Sequence, residues 1–398
     1  MNRRSFLITA SPAAVRMFAQ PSDRITLGVI GSGGRGTFVM GVFQKKPGLH
    51  VGAICDVYEP NLENALSAAN KAQGSAPKAY RNYKELLADR TVDAVLIATP
   101  EHWHAQMVLD ALAAGKDVYV EKPLCRTPEE GVALVEAEKR SKNIIQVGMQ
   151  RRSYDLYLEG RKVVEAGTLG TVRMIRSWWL NNYLGGKPAI KLDGKLDWEQ
   201  WLGPRPKIPF NADVFRNWRN YAEFAGGIVA DQGAHVYDGI HMLMNAGYPA
   251  AVTAAAGRPH REGFDTPESV VVTAEYPEDF IAVFSVNYAA MRYKSRNDQL
   301  NSLDGDRARM DIGREDLKVF AAGAEDTPSL TKASQYGFGR ATDVHVENFL
   351  ECVRTRKRPT APVALGFQAA LVVQMANLSL RHRRRVQWNR SANKIEFA

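Results

Sequence analysis

Residues 25–36 read ITLGVIGSGGRG, a short apolar run from Ile25 to Ile30 that leads directly into Gly31-Ser32-Gly33-Gly34-Arg35-Gly36. Gly31, Gly33 and Gly36 have the spacing G-x-G-x-x-G, and a helical pattern, Thr37 to Gln44, follows them. In that order the first glycine turns the chain, the second lets backbone amides approach a pyrophosphate, and the third allows close helix packing. The phosphates then meet the positive end of the helix. A glycine-rich turn alone is common, so its surroundings decide the reading. His50 to Cys55 reads as a second strand, and Asp56 falls 20 residues after Gly36. An acid at that distance can accept both hydroxyls of a ribose; the plainer reading is a strand-end or capping carboxylate. A carboxylate repels a 2′-phosphate, and Val57 and Tyr58 offer no replacement cation, so NAD is expected over NADP. Arg35 is the cation that could swing toward a phosphate. Gly31, Gly33, Gly34, Arg35, Gly36 and Asp56 are thus the first candidate cofactor residues.

The alternation of strand and helix continues with helices at Glu59 to Lys71 and Tyr83 to Asp89, strand Ala94 to Ala98, helix His104 to Ala114, strand Asp117 to Val120, helix Pro128 to Ser141 and strand Ile144 to Gly148. Repeated βα units predict an α/β fold with a doubly wound parallel sheet, a Rossmann domain over residues 21–149. Two strand ends carry further candidates, because open α/β sheets bind ligands at their carboxyl edge. Thr99-Pro100-Glu101-His102-Trp103-His104 follows one strand, and Glu121-Lys122-Pro123 follows another. Thr99, Pro100, His102, His104, Glu121 and Lys122 are placed beside the nicotinamide half of the cofactor. For the two histidines, capping and loop packing is favoured over metal ligation, since no carboxylate or cysteine completes a ligand set nearby. No metal is expected.

The residues match a known family: the chain resembles the glucose-fructose oxidoreductase, inositol dehydrogenase and MocA (Gfo/Idh/MocA) family of nicotinamide enzymes. The resemblance rests on GSGGRG, TPEHWH, AGKDVYVEKP, the segment GGIVADQGAHVYD at 226–238, and HVENFLECVRTRKRP at 345–359. It implies that Lys122 is an active-site lysine, Asp231 a substrate-site aspartate and His235 the catalytic histidine of a D-x-x-x-H pair. The spacing of that pair agrees, since residues four apart share one face of a helix. The core face of the same helix is expected at Val236, Ile240, Leu243 and Met244, offset from His235. Taken alone, Asp231 and His235 could be a helix-dipole charge and a buried histidine.

Residues 150–344 change texture, with β-rich runs at Val172 to Leu180, Val270 to Glu275 and Ile281 to Tyr288. They predict an α+β domain with an open, mostly antiparallel sheet; the resemblance gives it the substrate on one side and a homo-oligomer interface on the other. Trp178, Trp179, Tyr183, Trp198, Trp201, Trp218 and Tyr221 make its first half aromatic, beside the polar Asn181, Asn182 and Arg219. Only some of these are expected at a ligand, because aromatic core packing is the commoner use. The substrate-side candidates are Lys122, Arg151, Trp218, Arg219, Asp231 and His235. Residues 345–398 read as a helical return followed by the strand-like RRVQW.

The whole chain bounds the function. It has 398 residues, and its three cysteines, Cys55, Cys125 and Cys352, are scattered too widely for a zinc knuckle or redox pair. No apolar run is read as reaching the length needed to cross a bilayer as a helix, so a soluble protein without a membrane partner is expected. The net charge of +9 falls to 9 − 3 = +6 once Arg3, Arg4 and Arg16 are set aside, and the basic clusters near 354–358 and 381–385 lack interleaved aromatics. Nucleic acid is therefore not an expected partner. Residues 1–20, MNRRSFLITASPAAVRMFAQ, resemble a twin-arginine export signal, which predicts a periplasmic or exported protein, a cytoplasmic one being the alternative.

The expected activity is hydride transfer between a ring hydroxyl of a sugar, glycoside or cyclitol and a retained NAD. Two alternatives stand beside it. A redox-neutral glycoside hydrolase or lyase would use the same cofactor, although the glycosidase branch of the family replaces the EKP lysine motif. A non-catalytic sugar-binding protein would not need Lys122, Asp231 and His235.

Overall fold

The computed structural model describes residues 24–182, 188–290, 299–324 and 326–398. The signal-like segment 1–20 and Tyr183 lie outside the described residues. The first domain runs β1 (Ile25–Ile30), α1 (Gly34–Gln44), β2 (Leu49–Cys55), α2 (Glu59–Gln73), β3 (Lys78–Tyr80), α3 (Tyr83–Ala88), β4 (Ala94–Ile97), α4 (His104–Ala113), β5 (Asp117–Val120), α5 (Pro128–Arg140) and β6 (Ile145–Val147). Its six strands lie in the order β3-β2-β1-β4-β5-β6, all parallel. The order reverses between β1 and β4, the switch point at which such sheets open a ligand crevice. Strands β4 and β5 are buried along their whole length, as continuous apolar runs covered on both faces should be. Two expectations are corrected. Helix α1 starts at Gly34 rather than Thr37, so the glycine loop is itself the first helical turn. Strand β3 was missed, because it is three residues long and largely exposed, and carries no apolar pattern.

The second domain contains α6 (Asp155–Glu165), β7 (Val172–Leu180), the short helices α7 (Trp198–Leu202) and α8 (Ala212–Arg216), α9 (Gly227–Met244), β8 (Ala251–Ala256), β9 (Ser269–Tyr276), β10 (Phe280–Asn287), β11 (Gln299–Gly305), β12 (Ala308–Ile312), β13 (Asp316–Ala321) and β14 (Leu330–Ala333). It is followed by α10 (Ala341–Thr355), α11 (Val363–His382), β15 (Val386–Asn389) and β16 (Lys394–Phe397). Ten strands form one open sheet, β14-β13-β12-β11-β7-β10-β9-β8-β15-β16. Among the described residues only the β7–β10 pair is parallel; the other ladders are antiparallel. RRVQW supplies β15, which continues into a hairpin with β16.

Helices α9 and α11 join the layers. Of α9, only Ile228, Asp231 and Met244 are not buried, so the expected separation of a core face from His235 does not occur. The helix is covered nearly all round because it packs against α11, α6 and β10. Helix α11 corrects the expectation about apolar runs. By length and composition it could cross a membrane, with mean hydropathy 1.6, yet 67% of its most apolar window is buried in the fold. Polar Gln368, Gln374 and Asn377 interrupt the run, which is why it did not stand out. The helix packs on α9, β8 and α5. At the α5 crossing, a Cβ on Gly131 would lie 2.1 Å from the Phe367 ring, so only glycine allows the approach. All three cysteines are buried and unpaired. In the basic clusters, Arg356 pairs with Asp117 at 2.8 Å and Arg385 with Glu275 at 2.7 Å.

Candidate active site

The carboxyl edge of the parallel sheet faces the second domain across a cavity of about 1080 Å³, at the upper end of the roughly 300–1,000 Å³ of a drug-sized ligand's site. The glycine loop forms one wall. Gly31 takes φ +83°, and its N–H donates to Cys55 O at 2.9 Å. A Cβ on Gly36 would lie 2.0 Å from Gly31 O. Gly36 therefore closes the loop and does not line the cavity; its expected cofactor contact is corrected to a packing role. Gly36→Ala should push the loop apart at a cost of about 1–3 kcal/mol, measurable as a lower thermal midpoint and weaker nucleotide binding.

Asp56 sits where the ribose position was expected and is tied to the loop. Ser32 N donates to its Oδ2 at 2.7 Å and Tyr58 N to its Oδ1 at 2.9 Å, with Asn61 Nδ2 at 3.5 Å. Burial pushes its carboxyl above the ordinary value, more strongly than the bonds from Tyr58 and Ser32 lower it. Arg35 does not turn toward Asp56. Its Nη2 pairs with Glu121 Oε1 at 2.8 Å, at the end of β5. Three strand spacings, about 14 Å, separate β2 from β5.

The reacting groups come from both domains. Lys122, at the end of β5, donates through Nζ to Asp231 Oδ1 at 2.5 Å and to Asp231 O at 2.7 Å. Asp231 and His235 lie one turn apart on α9, and all three residues line the cavity. Loss of water around the Asp231 carboxyl pushes it up, but the charges of Lys122 and Arg219 outweigh this and hold the group below the ordinary range. His235 is driven well below the ordinary histidine value, by burial first and then by the charges of Lys122, Arg151 and Arg35. Its imidazole is consequently neutral at pH 7. The ring lies beside Trp179, with centroids 6.4 Å apart. The arrangement thus holds an ion pair and a neutral base around one cavity.

Gly31, Gly33, Gly34, Arg35, Asp56, Thr99, Pro100, His104, Glu121, Lys122, Trp218, Arg219, Asp231 and His235 all line this cavity. His104 is spanned by two carbonyls, Pro123 O at 2.7 Å and Thr99 O at 3.0 Å, so it ties the two turns together. His102 is a correction. It faces away from the cavity, against Trp201 and Phe224, with Nε2 2.9 Å from Trp201 O, and burial pushes it down to about 3. Arg151 is a second correction. It is buried behind the site, bonded to Tyr157 OH at 2.7 Å and Gln299 Oε1 at 3.1 Å, with its guanidinium over Trp179. Its neighbour Gln150 lines the cavity instead. Of the other aromatic and polar candidates, Trp201 lines it, whereas Trp178, Trp179, Trp198, Tyr221, Asn181 and Asn182 do not. Asn61, Gln150 and Arg216 were missed; only the position of Asn61, just after Asp56, gave a usable signal.

A glycine-rich parallel sheet facing an open sheet that carries an Asp–His helix defines a two-domain dinucleotide-binding protein. Residues 25–149 match the oxidoreductase family with an NAD-binding Rossmann fold, and residues 157–310 match the GFO/IDH/MocA C-terminal domain. The chain belongs to the Gfo/Idh/MocA oxidoreductase family. An inositol 2-dehydrogenase of Corynebacterium glutamicum strain R is 35% identical over 166 residues, 41% of this chain and 48% of that protein. A glycosyl hydrolase family 109 protein of Shewanella sp. strain ANA-3 is 33% identical over 140 residues, 34% of this chain and 30% of that protein. The chain thus matches about half or less of the length of these curated relatives. Levoglucosan dehydrogenase, solved with NADH and levoglucosan, superposes with a TM-score of 0.72, covering 92% of this chain and 99% of that one at 20% identity. At that identity the likeness is one of fold.

Proposed function

We propose that the protein oxidises a ring hydroxyl of a sugar, glycoside or cyclitol with NAD. The observation that carries this reading is the convergence of the Lys122–Asp231 pair and a neutral His235 on the cavity that the glycine loop opens into. The residues fit a dinucleotide: Gly33 and Gly34 leave the loop without side chains at the start of α1, and Asp56 offers a carboxylate where a ribose would lie. When bound, NAD supplies the acceptor for the hydride leaving the carbinol carbon. The protein supplies the proton chemistry. A carbinol hydroxyl is about as weak an acid as water, whose pKa is near 15.7, so its proton needs an acceptor. Neutral His235 accepts it, Asp231 orients the hydroxyl, and the Lys122 ammonium stabilises the charge that develops on oxygen. Asp56, with Arg35 turned to Glu121, favours NAD over NADP.

The names of the Shewanella relatives keep the redox-neutral glycosidase as a second reading. One assay separates the two. Protein incubated with NAD and a panel of sugars, cyclitols and aryl glycosides should form NADH with a free-hydroxyl substrate, at lower concentrations of NAD than of NADP. Aglycone release without net NADH would assign the second reading, and neither product with any substrate would remove both.

The subunit contact fits the outer face of the ten-stranded sheet. Met174 and Ile281 are register partners there, 41% and 38% exposed, and Val271 is 45% exposed. Light scattering of the purified protein would test this. Export is supported by the paired arginines Arg3 and Arg4, and a reporter fused after residue 20 would test it.

A further inference from the structure

Residues 188–226, between β7 and α9, leave their own sheet and lie across the Rossmann domain. We infer that residues 188–226 form a strap that closes the adenosine end of the dinucleotide site and makes the cofactor captive, with Arg216 as the side chain that grips it. The inference rests on the dinucleotide reading above.

The strap is joined to the segment that follows Asp56 by backbone. Glu59 N donates to Lys195 O at 2.9 Å and Asp197 N to Val57 O at 3.0 Å, around an antiparallel bridge between Tyr58 and Leu196. The Tyr58 hydroxyl donates to Asp193 O. A second junction lies on the β4 side, where Trp103 Nε1 donates to Trp201 O at 2.9 Å. Gly203 sits so close to the Trp103 ring that a Cβ would be 2.1 Å from it. The strap therefore reaches over the carboxyl edge of the sheet from β2 to β4, along the direction in which a dinucleotide would lie.

It is also a built element. Trp201, Leu202, Val214 and Phe224 form a buried cluster against which Val57 of the first domain packs. Asp213 draws the segment together, accepting from Tyr221 OH at 2.7 Å, Ala189 N at 2.9 Å and Asn217 Nδ2 at 2.8 Å. From this scaffold Arg216 enters the cavity as an exposed cation. Its Nη2 donates to Tyr58 OH at 3.0 Å, and its guanidinium lies 5.2 Å from the Tyr58 ring centre and 5.7 Å from that of Phe215. A planar cation stacked among rings beside the Asp56 turn is suited to the face of an adenine. A cofactor beneath this wall must pass the Arg216 guanidinium and the backbone tied at Glu59 and Asp197, so the strap slows exchange.

The test is a chase experiment on the full chain. Protein loaded with radiolabelled NAD is desalted, mixed with excess unlabelled NAD, and sampled for retained label. Wild type should keep its label far beyond mixing. Arg216→Ala should release it about tenfold faster or more, the factor for losing one stacked cation. Arg216→Lys should fall between them, and Tyr58→Phe, which keeps the ring but drops both hydroxyl ties, should also speed release. Because Arg216 is exposed, its replacement leaves the core intact. Complete exchange of wild type within mixing, or equal rates in wild type and Arg216→Ala, would overturn the strap while leaving the dinucleotide reading standing. A wild type that neither carries NAD after purification nor takes up label would overturn that reading and the strap together.

Discussion

Lys122→Met should lower turnover by about 10²–10³-fold while sparing NAD affinity, the loss expected when one donor aimed at a developing oxyanion is removed. The ammonium is held by the Asp231 carboxylate at 2.5 Å and by its carbonyl at 2.7 Å, so it is fixed before substrate arrives. Methionine keeps the length and removes the charge. A secondary effect has a definite sign. Lys122 is among the charges that hold both Asp231 and His235 below their ordinary values, so both should rise in the variant. Its residual activity should then fade at a higher pH than that of wild type as the medium is acidified. Steady-state rates at saturating NAD, with NAD affinity measured separately, check both parts. Unchanged turnover would remove Lys122 from the chemistry.

His235→Ala should cost about 10²–10⁴-fold, the range for a positioned general base. The wild-type pH profile is the sharper test. A base works only when unprotonated, and burial with three nearby cations depresses the His235 imidazole well below 6.5. Activity in the oxidation direction should therefore persist as pH falls through 6.5, and be lost only as it falls through the depressed value. An inflection near 6.5 that survives in His235→Ala would assign the base to another group.

Much of this site was legible because its parts are local. The loop at Gly31–Gly36 and the acid at Asp56 belong to one βαβ unit, whose geometry fixes the spacing along the chain. Lys122 was legible as the first cation beyond a short apolar strand, and Asp231 and His235 as one helical turn. What failed depends on direction or on distant chain. His102 sits in a tight turn whose neighbours do not say which side faces the cavity, and Trp201 and Phe224, which enclose it, come from the other domain. Arg151 and Gln150 differ by one position in a turn, and only the second reaches the cavity. Arg216 reaches the Asp56 turn at Tyr58, 158 positions away from it in the chain. No local pattern encodes such a meeting.

The place of α11 has a consequence for biosynthesis. This helix is made after nearly all of both domains, yet it packs against α5 in the first and α9 and β8 in the second. Gly366 lies so close to Val147 that a Cβ there would be 2.7 Å from it, and Phe367 fills the notch at Gly131. Domains fold in order as they leave the ribosome, at about 5–20 residues per second. The nascent Rossmann half therefore emerges with an uncovered apolar seam, and it keeps that seam until the last long helix arrives to wedge the halves together.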